Sequence, residues 1–250
     1  MRVLILGNSQ ASALRGASSQ GKFTARTSID FSFYVVPGGQ GPNFTVKGDR
    51  FSVTAFDERY PPQCAPEGVP DTSLQDYDAV VVSALGYIDG GFLYGNVIPR
   101  QGLLAEFGPR PNEDVSALIS VACLRETMIE GFRRHAGFQL LEELGAAYSG
   151  DIIVQPFPYV SACLQEREDW AMRRFYDDYI GAHLCLGELR TGVLQGICER
   201  NGARLLPPPE AAVTDQMFTR KELMNTHDGL HGSAEYGAMV LHQIEDELHP

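Results

Sequence analysis

The sequence predicts an α/β domain in three layers, with a mostly parallel central sheet between two layers of helices. Three observations carry this expectation. Short β-branched and leucine-rich runs alternate with helical patterns along the chain, as buried parallel strands joined by helices do. The run DAVVVSA, Asp78 to Ala84, has an apolar centre at Ala79–Val82 and reads as the clearest central strand. No repeat, low-complexity block or long linker divides the 250 residues, so residues 1–250 read as one domain.

The elements follow in order. Arg2 to Leu6 reads as a buried strand ended by Gly7, and Ser9 to Leu14 suits the start of a helix. Ile29 to Val36 gives a second strand, closed by Pro37-Gly38-Gly39. FTVKGDRFSV has two alternating runs around Gly48-Asp49, which signals a hairpin. Tyr60 to Pro70 is rich in proline and glycine and reads as an exposed loop. After the strand Asp78–Ala84, the chain turns repeatedly at Gly86, Gly90, Gly91 and Gly95.

A helix is expected from about Glu113 to Arg134, with Leu118, Val121, Met128 and Phe132 on its apolar face. Asp151 to Gln155 is a further strand, stopped by Pro156 and Pro158. The longest helical pattern runs from about Glu166 to Arg200. Phe175, Tyr179, Leu186, Leu189, Val193 and Ile197 form its stripe, and Asn201-Gly202 ends it. Ala203 to Leu206 is a last short strand before three prolines, and a final helix covers Ala234 to Leu248.

Composition narrows the function classes. Hydrophobic and charged fractions of 44% and 21% are those of a globular chain. A net charge of −12 disfavours a nucleic-acid partner and a polybasic membrane surface, both of which need clustered Lys and Arg. No run approaches the ~18 apolar residues of a membrane span. The opening run MRVLILG is too brief for a secretory leader. The five cysteines, Cys64, Cys123, Cys163, Cys185 and Cys198, are widely spaced and include no CxxC pair. They fit neither a zinc site nor a disulfide framework and are expected as free thiols in the cytoplasm. Oligomeric state is not legible, because buried helix stripes and subunit interfaces look alike in sequence.

In an open α/β sheet, sites collect beyond the carboxyl ends of the strands. Ser9, in Gly7-Asn8-Ser9-Gln10, stands at such an end where strand gives way to helix. That position exposes a hydroxyl and directs helix-terminal N–H groups toward the same spot. The plainer alternative is that Ser9 simply caps the helix, a role serine favours. The second feature is Asp228-Gly229-Leu230-His231, followed by Gly232-Ser233 and a helix. A serine nucleophile needs a base, and the base needs an acid to fix its tautomer, so one turn can supply both. Its plainer alternative is a surface loop with a helix cap at Ser233.

Taken together, a GxS at the end of the first strand and a DxxH before the last helix resemble the SGNH/GDSL family of serine esterases and acyltransferases. Asn8 stands where that family often has Asp. The resemblance implies a flavodoxin-like α/β/α fold with Ser9 as nucleophile, His231 as general base and Asp228 as its orienting acid. It implies an acyl-serine intermediate on a carbohydrate or small-metabolite ester, with no cofactor and no metal. Gly38 or Gly39 would supply an oxyanion N–H, and Gly86 follows the third strand. The family's GxND asparagine is absent, since Ile88 falls at its place in Gly86-Tyr87-Ile88-Asp89. Losing one oxyanion donor costs about 10²–10³ in rate in other serine hydrolases. Either Asn43 or Asn96 replaces it, or the hole is incomplete and the domain binds a carbohydrate or metabolite without turning it over.

Other readings fit less well. VLILGNSQASA lacks the GxGxxG of a dinucleotide site. His227 and His231 are four apart, but Gly229 between them and the missing HExxH glutamate speak against a metal.

Overall fold

The fold was determined as a computed structural model, which describes residues 1–35, 43–55, 63–65, 71–85, 101–103, 117–133, 136–166, 180–225 and 227–249. Its strands, in chain order, are β1 (Arg2–Gly7), β2 (Asp30–Val35), β3 (Asn43–Lys47), β4 (Arg50–Ala55), β5 (Gln63–Ala65) and β6 (Asp71–Ser73). They continue with β7 (Ala79–Leu85), β8 (Gln101–Leu103), β9 (Ala117–Ile119), β10 (Asp151–Pro156) and β11 (Arg204–Leu205). The described α-helices are α1 (Ser12–Ser19), α2 (Val121–Arg133), α3 (Ala136–Ala147), α4 (Ile180–Arg200) and α5 (Ala234–Leu248).

Six strands form the central sheet in the order β11-β10-β7-β1-β2-β5. The first five are mutually parallel, and β5 joins β2 antiparallel at the edge. Taken alone, the parallel strands have the 2-1-3-4-5 order of a flavodoxin-like doubly wound sheet. The strand order therefore reverses between β1 and β7, and ligands of such sheets sit in the crevice that opens there.

Alternation along the strands divides the core between the two faces. Val3, Ile5, Phe33, Val81 and Ile153 face α1 and α5, where they meet Leu14, Ala17, Val240, Leu241 and Ile244. Leu4, Leu6, Val80, Val82, Ile152 and Val154 face the other way, onto Leu124, Met128, Leu141, Leu144, Val193 and Ile197. These strands are buried on both sides, which is why they read as unbroken apolar runs. The α/β/α architecture expected from the sequence is the one observed.

Several elements differ from expectation. The helix expected from Glu113 begins only at Val121, because Ser120 caps it and its Oγ accepts the Cys123 N–H at 3.1 Å. Just before that cap, Ala117–Ile119 pairs with Gln101–Leu103 as a parallel two-stranded ribbon. Within the loop expected over Tyr60–Pro70, Gln63–Ala65 forms β5. It joins the sheet as an edge strand of three residues, the position a proline-flanked segment suits, and residues 60–62 and 66–70 of the expected loop lie outside the described residues. The pattern expected from Glu166 is a 3₁₀ turn at Ala162–Glu166 and then α4 from Ile180, with residues 167–179 outside the described residues. The expected hairpin is present as β3–β4, turning at Gly48 with φ of +62°. It belongs to a separate antiparallel sheet, β3-β4-β6. Among the described residues, no helix is long and apolar enough to cross a membrane.

Candidate active site

The parallel register sets Gly7, at the carboxyl end of β1, opposite Ser83 of β7 at the point where strand order reverses. A Cβ at position 7 would lie 2.6 Å from Ala11 Cβ and 2.9 Å from the Ser83 carbonyl oxygen. Only glycine lets the following turn fold down this closely. Asn8 then takes extended backbone angles, and its Oδ1 accepts the Gln10 N–H at 2.9 Å. Residues Ser9–Ala11 form a 3₁₀ turn leading into α1. The cap of this turn is thus Asn8, and the simpler expectation that Ser9 caps the helix is corrected. A cap accepts from the N–H two or three residues further on, and Asn8 stands two residues before Gln10.

The other half of the site comes from residues 225–233. Asn225 and His231 close the loop, with the Asn225 N–H donating to the His231 carbonyl at 2.7 Å and the Gly229 N–H to the Asn225 carbonyl at 2.9 Å. Gly229 has φ of +64°, a left-handed conformation that costs glycine little. Its carbonyl accepts the Ser161 N–H at 2.9 Å, which ties the loop to the segment after β10. The expected cap at Ser233 is also present, with Oγ accepting the Tyr236 N–H at 3.3 Å to start α5.

Across 222 residues of sequence, Ser9 Oγ lies 3.0 Å from His231 Nε2. His231 Nδ1 lies 2.7 Å from Asp228 Oδ2. The second carboxylate oxygen, Oδ1, accepts the N–H groups of Leu230 at 2.8 Å and His231 at 2.9 Å. Burial acts to raise the Asp228 carboxyl, but hydrogen bonds from the His231 N–H, the Leu230 N–H and the His231 ring outweigh it. They hold the group below the usual carboxylate range. An ionised carboxylate only accepts, so the neutral imidazole carries its proton on Nδ1 and leaves Nε2 to accept the Ser9 hydroxyl proton. Ser9 is partly exposed, with the buried residues Asn8 and Gln10 on either side. A partly exposed hydroxyl on a base oriented by a carboxylate can attack an electrophilic carbonyl.

A polar row runs beneath the turn. Ser83, beside Gly7, donates through Oγ to Gln155 Oε1 at 2.7 Å, and Gln155 Nε2 donates to the Pro156 carbonyl. Both side chains are buried.

Of the expected site residues, Ser9, His231 and Asp228 are brought together. Gly38, Gly39, Gly86 and Asn96, with Ile88, lie outside the described residues. Asn43 begins β3 in the separate antiparallel sheet, and its side chain is likewise outside what is described. One contact has no signal in the sequence: Gln10 Nε2 donates to the Leu230 carbonyl at 2.9 Å. Its partners are 220 residues apart and belong to no local pattern. Equally unannounced is an open cleft beyond the ends of β10 and β11, lined by Tyr159, Thr191, Pro208, Thr214 and Met217. None of Ser9, Asp228 and His231 lines it.

No protein-family model matches the chain, and no curated protein matches it. Among solved structures, the chain is similar to a candidate SGNH hydrolase from Slackia heliotrinireducens. That similarity has 13% identity and a TM-score of 0.45, over 99% of this chain and 98% of that one. It is also similar to a carbohydrate esterase family 2 enzyme with its carbohydrate-binding domain, from Corynascus thermopiles (Myceliophthora fergusii). There the identity is 14% and the TM-score 0.39, over 99% of this chain and 65% of that one.

Proposed function

We propose that this chain is a serine-dependent esterase that cleaves acyl groups, acetyl among them, from carbohydrate or small-metabolite esters through an acyl-Ser9 intermediate. The observation that supports it is the continuous relay from Ser9 Oγ to His231 Nε2 and from His231 Nδ1 to Asp228 Oδ2, at 3.0 Å and 2.7 Å. Ser9 Oγ attacks the ester carbonyl and passes its proton to His231 Nε2. The tetrahedral intermediate collapses as His231 returns the proton to the leaving alkoxide, leaving the acyl group on Ser9. Water, deprotonated by His231, then releases the carboxylic acid and restores the serine. Asp228 stays ionised throughout, which fixes the imidazole tautomer and stabilises the imidazolium. The Ser9 N–H, near a helix start, and the Gly39 N–H are the proposed oxyanion donors.

Acyl transfer differs only in that an alcohol replaces water in the second half, and the same three residues serve it. A binding domain on the same scaffold is less well supported. Its Ser9 would serve as a cap, whereas Asn8 fills that role and Ser9 meets His231.

The test is a fluorophosphonate probe read by intact mass on native protein and Ser9→Ala. One adduct on the native chain and none on the variant is expected. A folded native chain that takes no adduct, and acts on no acylated sugar, would turn the assignment to the binding domain.

A further inference from the structure

We propose that Gln10 is a positioning residue that sets the height of His231 above Ser9, an inference that rests on the serine-esterase assignment. The Leu230–His231 peptide is held at both ends. Its N–H donates to Asp228 Oδ1 at 2.9 Å, and its carbonyl accepts Gln10 Nε2 at 2.9 Å. Gln10 is also the residue whose N–H is taken by Asn8 Oδ1, so its backbone belongs to the turn that presents Ser9. One residue therefore connects the nucleophile's turn to the base's backbone, alongside the bond between Ser9 and the imidazole itself. A peptide fixed by two bonds leaves the imidazole little freedom except rotation about its own side chain, and that is limited by Asp228 Oδ2.

The same side chain is a poor choice for stability alone. Gln10 is 4% exposed, and its Oε1 has no hydrogen-bond partner among the described residues. A buried acceptor left unmade is costly. An apolar side chain of similar size would remove that cost while giving up the bond to the partly buried Leu230 carbonyl, so the two effects oppose each other in stability. Glutamine at this position is explained by the donor it points at Leu230. Misplacement of a catalytic group by about 1 Å can cost on the order of a hundredfold in rate.

The experiment compares native protein, Gln10→Met and Gln10→Glu, which keep the volume and remove the amide donor. Three quantities are read: the thermal midpoint, the second-order rate of fluorophosphonate labelling, and the His231 ring-nitrogen NMR signals. The expected result is a midpoint close to native in Gln10→Met, labelling slowed about ten- to a hundredfold in both variants, and shifted His231 signals. Either variant labelling at the native rate while folded overturns the proposal and leaves the esterase assignment standing. Variants that both fail to fold also overturn it, since Gln10 would then be a structural residue. A native chain that takes no label removes the assignment instead. In that case the ring-nitrogen signals decide the positioning claim by themselves, and signals unchanged from native refute it.

Discussion

Gly237 of α5 lies directly against the Ala13 carbonyl of α1, with no room for a Cβ between them. Helix α1 follows Ser9 and helix α5 follows His231, so this contact fixes the distance between the two segments that carry the site. Gly237→Ala would force the helices apart or strain one of them. Overpacking of this kind costs about 1–3 kcal/mol. We expect that loss in urea denaturation, together with slower labelling of Ser9. A variant as stable and as reactive as native would mean that the helices are less tightly coupled than their packing implies.

Asp228→Asn keeps an oxygen for the Leu230 and His231 N–H groups but sets an NH₂ toward His231 Nδ1. The fold should survive, while the imidazole is turned to the wrong tautomer. By analogy with other triads, reactivity should fall by about 10⁴. Circular dichroism and labelling kinetics on one sample separate the two effects. A drop of less than tenfold would argue that Asp228 is a loop anchor only.

Asn8→Ala removes the oxygen that accepts the Gln10 N–H and should cost about 1 kcal/mol, the usual loss for such a cap. Asn8→Asp keeps an acceptor there and should be tolerated. If both are equally destabilising in thermal melts, the capping role assigned to Asn8 is wrong.

Glu245 is a buried carboxylate on α5 that accepts the Arg26 N–H at 2.7 Å, the Thr27 N–H at 2.6 Å and the Thr27 hydroxyl at 2.7 Å. Burial acts to raise its pKa, but the Thr27 hydroxyl and N–H, Arg26 and His242 outweigh that and bring it to about 2. The unfolded chain binds this proton at about pH 4.3. Because the folded value is the lower, the contribution to stability is complete above about pH 5. It is lost as pH falls through 4 toward 2. Glu245→Gln should lower stability at neutral pH by about 1–3 kcal/mol and flatten the acid limb of the stability curve. An acid limb as steep in the variant as in native protein would assign the effect to other carboxylates.

The sequence made the centre of the sheet legible because β1, β7 and β10 are buried on both faces. Arg2–Leu6, Asp78–Ala84 and Asp151–Gln155 stand out as apolar runs and fall within a residue or two of β1, β7 and β10. The final helix, Ala234–Leu248, matches α5, because Ser233 caps it and its apolar face is regular. Short edge elements were not legible. Gln63–Ala65 and Ala117–Ile119 carry too few residues for a period to show, and their pairing partners are distant in sequence. Helix α3 carries the regular stripe Phe138, Leu141 and Leu144, continued by Tyr148, with Leu140 beside it, a pattern that was open to reading from the sequence. Ser9, Asp228 and His231 were visible as two short patterns at opposite ends of the chain. Which residue caps the first turn, and what holds the Leu230 carbonyl, depend on side-chain contacts that no local pattern encodes.

The bond between Ser9 and His231 spans nearly the whole chain, and this has a consequence for biosynthesis. The proposed nucleophile leaves the ribosome ahead of its proposed base, which follows more than two hundred residues later. Until the segment carrying His231 docks against α1, Ser9 lacks the imidazole that the proposed mechanism needs. On the proposed mechanism, a nascent chain that stops short of His231 would lack a reactive Ser9, and labelling at Ser9 would itself report that synthesis had passed that residue.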